Sequence, residues 1–351
     1  MDLRYIPIFL FGLIGGLFAF FIGAPMPFML GGIFGAACFV LWYERDEKQL
    51  PQVSRWVRLI SMSVIGAIIG SRFSPDLLTL LPLFWISGLA LIPFIITAHA
   101  GNYAIMRGLG GYRPLDAYFA ALPGGIMDSA ALAEQAGADL RVVTAQHFIR
   151  IILVVTSVPL LFLVVEGTAV GSLAGETLAT SDYDLADLAT LFAIAIAGLL
   201  IGQRTGLPVS HMMGPLLLAL CLSVAGIVTI DVPEWLGHLA QYFVGVGLGA
   251  QFSGVSRKLL TRGLGMGLVS GIFMLGLAAT CAWLLQPHVP ADYGALFVSF
   301  AAGGLAEMSL IALSLNFNPV VVALHHLARI VLTVTLGGFG AKRVFKLIPD
   351  Q

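Results

Sequence analysis

Histidine, arginine and carboxylate side chains are rare inside apolar segments, and where they occur they mark functional sites by default. This sequence places them there twice, in the same order. Gly124-Gly125, Asp128, His147 and Arg150 recur as Gly303-Gly304, Glu307, His326 and Arg329, each 179 positions later. Ser129 and Ser309 stand close to the acids and complete the candidate set. A glycine pair in an apolar span is a place for a helix to break. A break frees amides at the start of the following half-helix, and their partial positive charge suits an anion. Asp128 and Glu307 fall in that first turn. There the helix dipole favours the charged carboxylate, and burial opposes it. His147 and Arg150 are three residues apart and share a helix face, as do His326 and Arg329. Two uses fit. In one, Asp128–Arg150 and Glu307–Arg329 ion pairs lock the broken segments to the next helix. In the other, acids and histidines exchange protons or bind a cation while the arginines receive an anionic solute. A switchable pair would do both.

Other polar positions carry less. His99 and His211 read as structural, and Pro25 and Pro208 as turn formers. His325 and His326 are adjacent, so their rings point about 100° apart on a helix and do not easily share a metal. No HExxH, CxxC or carboxylate cluster indicates a metal centre. Cys38, Cys221 and Cys281 lie in apolar runs and read as small core residues. The chain is read as no enzyme, with no catalytic residue, metal or cofactor.

The elements that must position these residues follow from composition. Of 351 residues, 58% are apolar and 11% charged, and the mean hydropathy is +0.96. A soluble domain has roughly 25% charged residues. The expectation is an all-α polytopic membrane protein. A signal peptide is rejected for the N-terminus, because the same segment matches the start of the second half. Further matches are Gly23…Pro25…Met29…Gly31 with Gly206…Pro208…Met212…Gly214, and Trp56…Gly66…Gly70 with Trp235…Gly245…Gly249. The domains are therefore membrane repeat 1 at 1–173, an acidic periplasmic linker at 174–184 and membrane repeat 2 at 185–351. Each repeat reads as five apolar spans. The first set is about 5–22, 27–42, 56–71, 77–100 and 141–165, the second about 185–202, 208–228, 235–250, 264–285 and 319–341. A Gly-interrupted segment, about 115–137 and 292–316, precedes the last span of each.

Lysine and arginine set orientation, because cytoplasmic loops carry their excess. Arg45, Lys48 and Arg55 follow span two, whereas its counterpart at 230–234 has only acids. Arg72 alone follows span three, whereas its counterpart has Arg257, Lys258 and Arg262. Arg107 and Arg113 follow span four, and the counterpart has neither lysine nor arginine. Equivalent loops swap sides. That requires two inverted repeats of five transmembrane helices, each with one re-entrant segment, and both termini cytoplasmic. Inverted repeats with broken helices at the midplane are a plan of secondary transporters. Trp42, Trp56 and Trp235 would anchor the interfaces. Gly12…Gly16, Gly31…Gly35, Gly245…Gly249 and Gly263…Gly267 would pack helices closely.

The GAP/GLP turn before the second span, the PGG-x-x-D segment and the H-x-x-R helix resemble the AbrB-type duplication membrane proteins of bacteria. Members are often labelled ammonia monooxygenase or regulator of gene expression. The resemblance implies a multi-pass protein of the inner membrane. An oxygenase would need copper or iron ligands that no spacing here assembles. A regulator without a soluble DNA-binding domain would act indirectly. The plan is also similar to five-plus-five inverted-repeat transporters such as sodium/proton antiporters and bile-acid symporters. The expected function is secondary transport of a small polar or anionic solute by alternating access, coupled to protons or sodium. Asp128 and Glu307 would carry the coupling ion, His147 and His326 would relay it, and Arg150 and Arg329 would orient the solute. A membrane sensor or scaffold that affects gene expression is the alternative, and a membrane-bound monooxygenase the third. Expected partners are the lipid bilayer and a small molecule or ion, without nucleic acid. A homodimer is compatible with the sequence.

Overall fold

The computed structural model describes residues 5–44, 55–71, 84–166, 184–207, 209–254 and 257–345. The linker residues 174–183, Pro208 and several loop charges used above lie outside these, as do the side chains of Met127 and Asp128. The described residues form fourteen α-helices and no strand. The first seven are α1 (Ile6–Phe21), α2 (Pro27–Tyr43), α3 (Arg55–Ser71), α4 (Trp85–Gly108), α5 (Pro114–Ala120), α6 (Ile126–Ala136) and α7 (Leu140–Glu166). The second seven are α8 (Leu185–Arg204), α9 (Ser210–Val224), α10 (Glu234–Ala250), α11 (Arg257–Leu285), α12 (Tyr293–Phe300), α13 (Leu305–Ser314) and α14 (Pro319–Phe345). Helices starting at 55, 114, 126 and 140 have counterparts starting at 234, 293, 305 and 319, the same shift of 179.

Five of these helices are long and apolar enough to cross a membrane: Trp85–Gly108, Leu140–Val165, Leu185–Arg204, Gly263–His288 and Val321–Ala341. α1, α2, α3, α9 and α10 have 16, 17, 17, 15 and 17 residues, under the roughly 20 that span a typical bilayer. The fourth helix, Trp85–Gly108, runs past the expected end at 100, and residues 77–83 of the expected span lie outside the described residues. Its last turns carry polar residues that hydropathy discounts. Asn102 is nonetheless fully buried, and its Oδ1 accepts the Ser270 hydroxyl at 2.7 Å.

The helices are inside out relative to a soluble protein. In α1 the buried residues are Ile8, Gly12, Gly16 and Ala19, while Ile14, Phe18 and Phe21 are exposed. Small residues inward and bulky apolar residues outward suit a lipid solvent. All five tryptophans, Trp42, Trp56, Trp85, Trp235 and Trp283, are exposed and lie within three residues of a helix end, as interface anchors do. Cys38 and Cys221 are exposed, not core, and Cys281 is half-buried. An apolar run does not tell which face looks outward.

The chain divides into two compact units. The first comprises residues 1–80, 158–254 and 309–320. It pairs α1 with α2, α8 with α9, α2 with α10 and α3 with α9. Glycine makes these contacts close. A Cβ on Gly245 or Gly249 would strike the Met29 or Ile33 carbonyl of α2, and one on Gly66 or Gly70 the Met212 or Leu216 carbonyl of α9. Both helices advance together at each crossing, so α2 and α10 run parallel, and so do α3 and α9. At the end of the first pair, the Glu44 carboxylate accepts the Ser253 hydroxyl and the Gly254 amide.

The second unit comprises residues 81–157, 255–308 and 321–351. It holds α4 against α11 and contains both Gly-Gly pairs. Gly263 and Gly267 of α11 pack on Ile149 of α7. The compact units thus do not follow the two sequence halves; each takes helices from both.

Candidate functional site

The chain breaks between α5 and α6, and again between α12 and α13, at the two Gly-Gly pairs. None of the four glycines has a positive φ, so they supply space, not a left-handed backbone. Gly124 is buried, and a Cβ there would meet the Thr333 side chain of α14, with Cγ2 at 2.8 Å. Gly125 is the extended N-cap of α6. A Cβ on Gly303 would strike the Met308 side chain, and one on Gly304 the Glu307 carboxylate.

The first broken segment doubles back. Asp116, in the first turn of α5, accepts the Asp139 amide at 2.9 Å. A straight helix would separate these residues by about 35 Å. Asp116 also takes two bonds from Arg113, 2.7 Å from Nε and 2.9 Å from Nη2. Burial alone would raise the Asp116 carboxyl; the Arg113 hydrogen bonds, the Asp139 amide and the Arg113 charge outweigh it and hold the group below its ordinary value. Sequence reasoning passed over this clasp because Asp116 has no copy: Ala295 stands at the counterpart. The signal was an acid in a helix's first turn, just after Arg113-Pro114.

Both arginines are 2% exposed and reach the breaks in the same way. Arg150 Nη1 donates to Leu122 O at 2.8 Å and Nη2 to Gly124 O at 3.4 Å. Arg329 Nη1 donates to Ala301 O at 2.7 Å and Nη2 to Gly303 O at 2.8 Å. Leu122 and Gly124 lie in the first break, Ala301 and Gly303 in the second, just past the half-helices Pro114–Ala120 and Tyr293–Phe300. Each guanidinium fork thus holds the backbone between two half-helices. The expected Glu307–Arg329 ion pair is not formed; Arg329's partners are carbonyls. The matching Asp128–Arg150 pair rests on a side chain outside the described residues, although the backbone puts Asp128 in the first turn of α6.

His147 is fully buried. Its Nε2 lies 2.9 Å from Phe119 O and its Nδ1 3.1 Å from Arg150 Nη2. A carbonyl only accepts, so the ring proton sits on Nε2 and Nδ1 accepts from the guanidinium. Both ring nitrogens are engaged. His326, also fully buried, bonds back through Nδ1 to Val322 O at 3.0 Å. His325 spans from Val321 O to the Ser87 hydroxyl of α4.

Glu307 is buried in the first turn of α13, with its carboxylate folded back on Gly304. An acid at the third helical position commonly reaches back in this way. Ser129 is buried on α6, and Ser309 is buried on α13 and grouped with the first unit. The second unit therefore gathers Gly124, Gly125, His147, Arg150, Gly303, Gly304, Glu307, His326 and Arg329 with the Asp128 backbone. One helix joins the two breaks. Arg329 and Thr333, four apart on α14, touch Gly303 and Gly124 respectively.

Comparison with known proteins agrees with the sequence resemblance. Residues 7–345 match the family described as transition state regulatory protein AbrB. The uncharacterized protein YhjN of Bacillus subtilis (strain 168) is 24% identical over 345 residues, 92% of this chain and 88% of that protein. A protein of Escherichia coli (strain K12) whose name makes it a candidate regulator, AbrB, is 24% identical over 271 residues, 76% of each chain. With nearly its whole length matched, this chain belongs to the AbrB family.

Proposed function

We propose that this protein is an inner-membrane secondary transporter of a small polar or anionic solute, working by alternating access and coupled to protons or sodium. The observation that carries the reading is that one flank of α14 reaches both helix breaks, each held by a buried arginine. Irregular backbone at membrane depth is tolerated where protein or a water-filled cavity surrounds it, and transporters place solute sites at such breaks. The parallel α2/α10 and α3/α9 pairs support inversion, because α10 is the counterpart of α3 and α9 of α2. In this reading ten helices cross, the two interrupted segments enter from opposite faces, and both termini are cytoplasmic. The short helices α1, α2, α3, α9 and α10 cross where the bilayer is locally thin.

The arginines position the breaks and lend them positive charge. Asp128 and Glu307 carry the coupling ion, and His147 positions Arg150. The regulatory name of the Escherichia coli relative fits a transporter whose solute changes expression indirectly. The test is flux in liposomes. Purified protein should move protons or sodium when a solute gradient is applied. Asp128→Asn and Glu307→Gln should fold and insert yet lose that coupled flux. A wild type that moves nothing across a panel of small acids and amines would leave a sensor or scaffold as the better description.

A further inference from the structure

The second unit holds buried polar atoms with no partner of their own. Thr333 is 1% exposed, and its Oγ1 makes no hydrogen bond. A helical threonine normally donates to the carbonyl four residues back. Thr144, Thr205, Thr280 and Thr335 all do so here, at 2.6 to 2.9 Å. Thr333 does not. Its Oγ1 lies 3.5 Å from where a Cβ of Gly124 would stand, just before the start of α6. The Ser129 amide bonds back to Gly125 O, and the amides of a helix's first turn have no carbonyl one full turn back within the helix, so they face out of that end. The Nε atoms of Arg150 and Arg329, both 2% exposed, are likewise unpartnered.

We infer that the start of α6, Thr333 and the two arginines form a single site for a small monoanion of the carboxylate class. This rests on the transport reading and sharpens it in two ways. The solute's charged end sits at the first break, not equally at both. The second break lacks the hydroxyl, since Val154 occupies the position equivalent to Thr333. The ligand is an anion, because two buried guanidinium groups disfavour a cation and amides, a hydroxyl and Nε–H groups all donate. A monoanion suits so few donors better than a dianion, whose desolvation is far costlier.

The experiment is thermal unfolding of the purified full chain in detergent, titrated with sodium acetate against sodium chloride at equal ionic strength. Acetate should raise the Tm saturably, as a ligand of the native state does. Thr333→Val keeps the shape and should weaken half-saturation at least tenfold, while Thr333→Ser and Val154→Thr stay near wild type. Asp128→Asn, which removes negative charge from the same helix end, should tighten acetate; a sodium site would respond in the opposite direction. The assignment is overturned if Thr333→Val titrates like wild type. It is also overturned if formate, acetate, lactate, nitrate and phosphate all act no differently from chloride. Saturable Thr333-dependent binding without liposome flux would sink transport and leave the site standing. Solute flux unaffected by Thr333→Val would do the reverse.

Discussion

Arg329 forks across two carbonyls of the second break, Ala301 O and Gly303 O. A lysine has no fork and reaches one of them. Arg329→Lys should therefore destabilise by about 1–3 kcal/mol, the cost of a buried acceptor left unsatisfied. Thermal unfolding in detergent checks this, and Arg329→Met should be worse. The choice of arginine was legible in the sequence, because a charge in an apolar run must have a reason. Its partner was not. Opposite charges suggest Glu307, but the carbonyls of the break are nearer and cannot turn to water. Asp116 gives a pH test, since its carboxyl is held below the usual aspartate value. Its contribution is complete above the unfolded value of about 3.9 and is lost as pH falls through the lower folded value. Wild type should melt above Asp116→Asn at neutral pH. The gap should close only below about pH 4. A gap that does not narrow as pH falls below about 4 would show that the Arg113 clasp does not depend on charge.

At the scale of elements, glycine decides which helices can touch. Gly245→Val would drive a side chain into the Met29 carbonyl, which belongs to backbone and cannot swing aside. Roughly 3 kcal/mol should be lost. Gly247 lies on the same helix with nothing within 4 Å of its Cβ position. Gly247→Ala should change stability by less than about 1 kcal/mol, toward the more stable side. Equal effects from the two would mean that α2 and α10 do not pack as described. Hydropathy found the places of most helices, because apolar runs and turn residues alternate clearly. It ended the fourth about two turns early because Asn102, which looks like loop, is buried against Ser270. It could not tell that Cys38 and Cys221 look outward, since every face of these helices is apolar.

At the scale of the molecule, the repeats were legible as recurring residues at a constant offset, and the division into compact units was not. Adjacency in sequence does not reveal that α1, α2 and α3 gather with α8, α9 and α10. Topology is testable directly. With Cys38, Cys221 and Cys281 replaced by serine, cysteines at Leu50 and Asp231 should be labelled from opposite sides of the membrane. Labelling from one side would remove the inversion. The placement of Arg329 and Thr333 on α14 has a further consequence. The second half of the gene contributes a residue to the broken segment encoded by the first, and the first half, with Val154, does not return it. The duplicates have become unequal descendants. Two copies of residues 1–173 would lack the hydroxyl everywhere, so only a polypeptide pair split near residue 180 and coexpressed, one piece from each half, should restore what the single gene encodes.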